Sequence, residues 1–160
     1  MKTLRSLTLI AAICFVAFYS CESPQQAAED EKVYLPENFT WYNGVEIFYP
    51  SQWNRSRFLR LEPGTGSGQA GRHYFGESAR YKVSLTGRRD GAGALIVHLL
   101  VNGEEAGSFE FPETDNESGT DTLVKSVESV NIPKYSELSL QFSGASGQAW
   151  LIENFKLIPA

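Results

Sequence analysis

The stretch ALIVHLLVNGEEAGSFEF, residues 94–111, decides the fold class. Its first half is apolar at almost every position, which is typical of a strand buried on both faces and, on periodicity alone, of a helix segment. The Asn102-Gly103 pair that follows favours a strand, because Asn-Gly readily takes the positive φ angles of a two-residue hairpin turn. In the second half Phe109 and Phe111 alternate with polar residues. The sequence therefore predicts an antiparallel β-hairpin here.

Short apolar runs of the same kind recur along the rest of the chain. They are separated by turn and loop segments at spacings of about 8–12 residues, which is typical of an all-β sandwich or jelly roll. We find no convincing amphipathic helix, tandem repeat or second-domain boundary. The sequence therefore predicts one antiparallel β-sandwich domain over residues 33–160. The runs lie at residues 41–49, 58–61, 81–85, 122–132, 138–142 and 150–157.

Residues 1–20 have the pattern of a signal peptide: Lys2 and Arg5 precede an apolar stretch that is too short for an ordinary spanning helix. The stretch ends in a small residue before Cys21, which resembles the lipobox of bacterial lipoproteins. We therefore expect Cys21 to carry a lipid; ordinary secretion with a free cysteine is the alternative. Residues 21–32, rich in Gln, Ala and acids, are predicted to be a flexible tether.

Charge and cysteine content restrict the partners. The chain of 160 residues has 14 basic and 19 acidic side chains, a formal charge of −5. This acidic balance argues against nucleic acid and against a basic face held to anionic lipid. With residues 1–20 removed, Cys21 is the only cysteine, which excludes a disulfide framework and a thiolate metal site. We expect contact with the membrane through the lipid on Cys21 alone, at the bacterial cell envelope. The outer membrane is favoured over the inner, with the domain periplasmic or surface-exposed.

Six short motifs occur in order at residues 37–39, 42–45, 81–85, 101–103, 107–112 and 152–155. Taken together, they resemble family 6 carbohydrate-binding modules. The resemblance implies a galactose-binding-like sandwich, carbohydrate binding without catalysis, and a structural Ca²⁺ held by acids that match Glu37 and Glu153. Two features depart from the family: the loop after the hairpin has no Trp, and Leu151 stands where an Asn is usual. Both weigh against a sugar in the usual loop cleft.

Carbohydrate recognition needs flat apolar rings for the C–H face of a sugar and fixed polar groups for its hydroxyls. Trp53 and Tyr74 have polar neighbours, and the sequence leaves open whether their rings are exposed for stacking or buried. Trp41 and Trp150 fall on predicted strands, where the core is the favoured location. The candidate ligand-binding residues are Trp53, Arg72, His73, Tyr74, Asp115 and Asn116.

The sequence offers little for catalysis. His73 and His98 are the only histidines, and His98 lies in the most apolar strand, where we expect a core histidine. No G-x-S-x-G or H-E-x-x-H motif is present. Residues 66–71 match G-x-G-x-x-G, but no helix start follows, so a loop is predicted rather than a dinucleotide site. A sandwich of this size is also small for a glycoside hydrolase, and we predict that the protein is not an enzyme.

The sequence thus predicts a non-catalytic carbohydrate-binding lipoprotein whose partner is a polysaccharide or glycan. The alternative is a structural or protein-interaction lipoprotein that keeps the sandwich, has lost the sugar site and binds an envelope protein. The two are distinguished by whether aromatic rings converge on one solvent-facing surface.

Overall fold

The chain folds into two antiparallel β-sheets packed face to face, in a computed structural model that describes residues 30–51, 56–113, 121–144 and 150–160. A 3₁₀ turn, Pro36–Asn38, lies between the first two strands. The prediction of an all-β sandwich is confirmed. The strands are β1 (Lys32–Tyr34), β2 (Trp41–Asn43), β3 (Val45–Phe48), β4 (Phe58–Leu61), β5 (Ser67–His73), β6 (Ala79–Arg89), β7 (Leu95–Val101), β8 (Glu104–Phe111), β9 (Thr122–Ile132), β10 (Glu137–Gly144) and β11 (Trp150–Pro159).

The six-stranded sheet has the order β3-β4-β11-β6-β9, with β1 also paired to β11, and the five-stranded sheet has the order β2-β5-β10-β7-β8. β2 and β3 are joined by Gly44 alone yet belong to different sheets. Gly44 has φ +66°, and a Cβ there would lie 2.9 Å from the carbonyl oxygen of Ser67. The turn at Asn43-Gly44 therefore forms a corner between the sheets, for which a glycine is required.

The hairpin predicted from residues 94–111 is present. β7 pairs with β8 through a turn in which Asn102 has φ +53° and Gly103 has φ +84°. The hairpin forms one edge of the five-stranded sheet, since β8 is the last strand in its order. The strand predictions around residues 58–61, 81–85, 122–132, 138–142 and 150–157 are confirmed as well.

The prediction that β7 is buried on both faces is wrong, and with it the core assignment of His98. Side chains alternate along a strand, and only one set of β7 points into the sandwich. On the other side the side chain of His98 is 31% exposed and Ile96 is 37% exposed. The buried set is Leu95, Val97 and Leu99.

The core fills the space between the sheets with aliphatic and aromatic side chains from both. Trp150 belongs to it, as predicted, and its indole nitrogen donates to the carbonyl of Pro112 at 3.0 Å. The largest fully buried side chains of this core are Tyr74, Tyr81, Phe109, Phe111, Phe142 and Phe155.

The loop predicted for residues 66–71 is instead a strand from Ser67 onward, where β5 begins. Its glycines allow close backbone and ring contacts that override their low strand propensity: Gly68 lies against Gly44, and Gly71 lies against the ring of Trp41. Among the described residues, no helix has the length and apolarity that a membrane crossing requires. Cys21 and residues 1–29 lie outside the described part of the chain, so the signal peptide, tether and lipidation stay predictions.

Candidate functional site

The outer face of the five-stranded sheet, here named the open face, presents the side chains that alternate with the core residues. In-register pairing aligns them in two rows across the sheet. Most are polar, and many are at least partly exposed. One row is Trp41, Gly71, Ser139, Leu100 and Glu105; the other is Asn43, Gln69, Gln141, His98 and Ser108.

Trp41 lies on the open face rather than in the core, where the sequence favoured it. Its indole ring lies so close to the backbone of Gly71 that a Cβ at position 71 would overlap the ring. The residue nevertheless stays partly exposed. An indole that rests on a sheet and stays partly exposed offers apolar ring surface to the apolar face of a sugar.

Polar side chains of the open face are held in place by one another. Gln69 Nε2 donates to Ser139 Oγ at 2.8 Å, and Ser139 is 2% exposed although its side chain belongs to the open face. His98 Nδ1 lies 3.1 Å from Glu105 Oε1. Amide, hydroxyl and carboxylate groups offer both donors and acceptors, which is what the hydroxyls of a sugar require.

A line of aromatic rings extends the open face beyond the end of β5. His73 follows Gly71 by two residues and shares its face, and the exposed Phe75 comes two residues later. The ring centroid of Phe75 lies 6.3 Å from that of His73 and 6.4 Å from that of Tyr135, which is also exposed. We name Trp41, His73, Phe75 and Tyr135 the aromatic strip.

The structure separates the three neighbouring candidates Arg72, His73 and Tyr74. Only His73 reaches the open face. The guanidinium of Arg72 lies on the other side of β5, with Cζ 4.1 Å from the ring centroid of Tyr34. Tyr74 is 0% exposed, so the prediction that its ring stacks on a ligand is wrong. Alternation along an extended chain is the reason, since consecutive side chains point to opposite faces.

The remaining candidates Trp53, Asp115 and Asn116 lie outside the described residues, and their roles stay predictions. The sequence reasoning also missed Gln69, Ser139 and Tyr135. For Gln69, the available signal was the alternation of side chains at every second position from residue 69 to residue 75, which is typical of a strand. The glycines in this stretch suggested a loop and obscured that signal.

The two acids predicted to hold Ca²⁺ do line one cavity, of about 350 Å³, together with Arg57. Each is ion-paired: Arg57 Nη1 lies 3.2 Å from Glu37 Oε1, and Arg88 Nη2 lies 3.3 Å from Glu153 Oε2. In the described parts of the chain no three acidic, His or Cys side chains cluster as metal ligands would. Calcium takes six to eight oxygen ligands, and carboxylates already neutralised by arginine do not fit that role.

The sequence matches no family model and no curated protein. Solved structures do match, several of them over nearly all of their own length. A family 35 carbohydrate-binding module from Clostridium thermocellum aligns with a TM-score of 0.63 at 13% identity, covering 82% of this chain and 100% of that one. The CBM36-1 domain of a multidomain xylanase from the hindgut metagenome of Trinervitermes trinervoides aligns with a TM-score of 0.58 at 16% identity, covering 82% and 98%.

A family 6 carbohydrate-binding module from Clostridium cellulolyticum, solved with xylose, aligns with a TM-score of 0.59 at 10% identity, covering 79% of this chain and 95% of that one. Identities this low establish the fold alone. The described sandwich therefore has the fold of carbohydrate-binding modules.

Proposed function

We propose that the domain binds carbohydrate at the open face, without catalysis, and that Trp41 provides the main stacking surface. One observation carries the proposal: the indole of Trp41 lies against Gly71, partly exposed, beside polar side chains held in fixed positions. The fold is that of carbohydrate-binding modules, which supports carbohydrate binding in general.

The physical argument is that the site combines two complementary surfaces. A sugar ring presents an apolar C–H face, which an indole covers at little entropic cost because the ring is already held on the sheet. Its equatorial hydroxyls then meet groups that donate and accept hydrogen bonds. Gln69 on β5 and Gln141 on β10 supply such groups on the two strands that follow β2 in the sheet.

The test is a pull-down with insoluble xylan, cellulose, mannan and β-1,3-glucan, combined with a glycan array. We expect the wild-type domain to bind at least one of these and Trp41→Ala to lose that binding. Tyr49→Ala is the matched control, because Tyr49 is 58% exposed but follows β3 of the six-stranded sheet. Melting temperatures identify variants that lose binding through unfolding. If a well-folded wild-type domain binds no glycan, the alternative of a structural or protein-interaction lipoprotein is favoured.

We further propose that Cys21 is lipidated and holds the domain at a bacterial envelope membrane. The support is the resemblance of residues 1–21 to a lipoprotein signal and the tether-like composition of residues 21–32. Labelling of cells with a radioactive or clickable fatty acid tests this. We expect label on the wild-type protein and none on Cys21→Ser. Equal labelling of both would contradict the proposal.

A further inference from the structure

The aromatic strip continues the candidate site past the edge of the sheet. Because a strand advances by about 7 Å over two residues, His73 lies about that distance along β5 from Gly71, where the indole of Trp41 rests. The ring centroid of Phe75 lies 6.3 Å from that of His73. Tyr135 lies beside Phe75, at 6.4 Å, because the antiparallel register that pairs His73 with Glu137 places residue 135 across from residue 75. Rings therefore line the direction of β5 over a length greater than one sugar residue needs.

The loop between β5 and β6 holds Phe75 outward through its buried neighbour. The hydroxyl of Tyr74 donates to the carbonyl of Glu77 at 2.8 Å and lies 2.7 Å from the hydroxyl of Tyr81. With Tyr74 fixed in the core, alternation sends Phe75 to the surface, where it is 69% exposed. Tyr74 is thus a positioning residue for the strip.

The loop that carries Tyr135 is attached to the same place. The backbone N–H of Tyr74 donates to the carbonyl of Ser136 at 2.8 Å, and that of Lys134 donates to Ser78 Oγ at 2.8 Å. Lys134 Nζ also lies 2.5 Å from Glu77 Oε1. Phe75 and Tyr135 are therefore held relative to each other before any ligand binds, which lowers the entropic cost of binding.

Tyr135 has φ +64°, a conformation that glycine adopts freely and a bulky residue does not. Its ring is 68% exposed, so the strain is not offset by burial of the side chain in the core. Such strain clusters at binding sites, where the side chain has a use that outweighs its cost. The exposed ring next to Phe75 is that side chain here.

From these observations we infer that the ligand is the interior of a neutral polysaccharide chain, lying along β5 with successive sugars in contact from Trp41 to Tyr135. This inference rests on the proposed carbohydrate-binding function. An extended chain can place one sugar after another on a row of rings, whereas a single terminal sugar covers only one. Neutral glycans are favoured because Glu137 lies opposite His73 on the open face, where its carboxylate repels uronic acids.

Calorimetric titration with xylo-, cello-, manno- and laminari-oligosaccharides, from disaccharide to hexasaccharide, tests the inference. For the series that binds, we expect affinity to rise with length. Phe75→Ala and Tyr135→Gly should each lower hexasaccharide affinity by about 2- to 10-fold while leaving disaccharide affinity unchanged. Tyr135→Gly should also keep or raise the melting temperature, since glycine relieves the strained φ. The control Tyr49→Ala should behave as wild type.

The outcomes separate the two proposals. Affinity that is independent of length, or unchanged in both strip variants, overturns the extended-chain inference and leaves carbohydrate binding at Trp41 in place. Stronger binding of oligogalacturonides than of every neutral series also overturns it. If no oligosaccharide binds the folded wild-type domain, both proposals fail.

Discussion

The two outer faces of this sandwich differ in whether their aromatic rings are covered or exposed. On the six-stranded sheet, arginine side chains cover the rings: Arg60 Cζ lies 3.5 Å from the ring centroid of Phe48, and Arg88 Cζ lies 5.8 Å from that of Phe58. On the open face, the rings of Trp41 and Phe75 are left partly or largely exposed. A ring covered by a guanidinium already makes its cation–π contact within the protein, whereas an exposed ring can contact a ligand.

The arginines that cover these rings also form ion pairs on the six-stranded sheet. Arg60 and Arg88 are each ion-paired to an acid on the six-stranded sheet, Glu46 and Glu153 respectively. Each therefore contributes both a cation–π contact and an ion pair, which together hold the side chain over the ring. The comparison teaches that the placement of arginines, more than the fold, decides which face of the sandwich is open to a ligand.

Two neighbouring residues on opposite sides of the chain give the largest expected contrast. Replacing the buried Tyr74 with Ala should lower the free energy of unfolding by about 3–5 kcal/mol, because it leaves a cavity and removes the hydrogen bonds of the hydroxyl. Phe75→Ala should change it by about 0.5 kcal/mol or less. Urea denaturation of both variants measures this, and similar losses in the two would contradict the assignment of their faces.

The second-largest contrast is expected in glycan affinity, between the exposed ring of Trp41 and the arginine-covered ring of Phe48. Trp41→Ala should cost about 2–4 kcal/mol of glycan affinity, a factor of roughly 30 to 1,000, as a central aromatic contact does. Arg60→Ala uncovers Phe48 on the six-stranded sheet and should leave glycan affinity unchanged. Titration with the best glycan from the pull-down compares them. A loss of affinity in Arg60→Ala equal to that in Trp41→Ala would remove the distinction between the faces.

The ion-paired acids of the six-stranded side should make the domain independent of calcium. Because Glu37 and Glu153 are neutralised by arginines, we expect a chelator to leave the melting temperature unchanged and added Ca²⁺ not to raise it. Arg88→Ala should cost about 1 kcal/mol of stability, since its ion pair is largely but not fully buried. A melting temperature that falls on chelation would show that Ca²⁺ is bound despite the arginines.

The smallest effect is expected at Tyr42, which follows Trp41 but faces the other way. Its hydroxyl donates to the carbonyl of Pro36, and burial, then the nearby Glu37 and Tyr49, raises its pKa. The folded state therefore favours the neutral phenol, and the stability this gives is present below about pH 10 and lost as pH rises through the raised pKa.

Tyr42→Phe should lower stability by about 1 kcal/mol at neutral pH, through the lost hydrogen bond, and should flatten the alkaline decline. Thermal melts from neutral to alkaline pH measure it. Glycan affinity should not change, and a large loss there would show that Tyr42 contributes to the open face.

The sequence predicted the fold well because its strongest signals are local. The Asn102-Gly103 turn and the alternation in β6, β9 and β10 depend on neighbours in the chain, and both survive in the structure. The face of a strand depends on its partners, and there the sequence reasoning failed. His98 was assigned to the core but is partly exposed, and Tyr74, which was left open between surface and core, is fully buried.

The candidate site was less predictable, because it is made of pairings between distant strands. Trp41 gains its role from Gly71, thirty residues later, and Tyr135 comes next to Phe75 only when β5 and β10 pair. The arginines that neutralise Glu37 and Glu153 likewise come from other strands and loops. Nothing in the linear sequence specifies these contacts.

The most direct measurement is the ¹H–¹⁵N spectrum of the tryptophan indoles during titration with the bound oligosaccharide. The chain has three tryptophans, and Trp41 and Trp150 differ in exposure, with Trp150 only 4% exposed in the core. The account predicts that the Trp41 indole signal shifts with ligand and that of Trp150 does not. A shift confined to Trp53, with Trp41 unchanged, would contradict the assignment of carbohydrate binding to the open face.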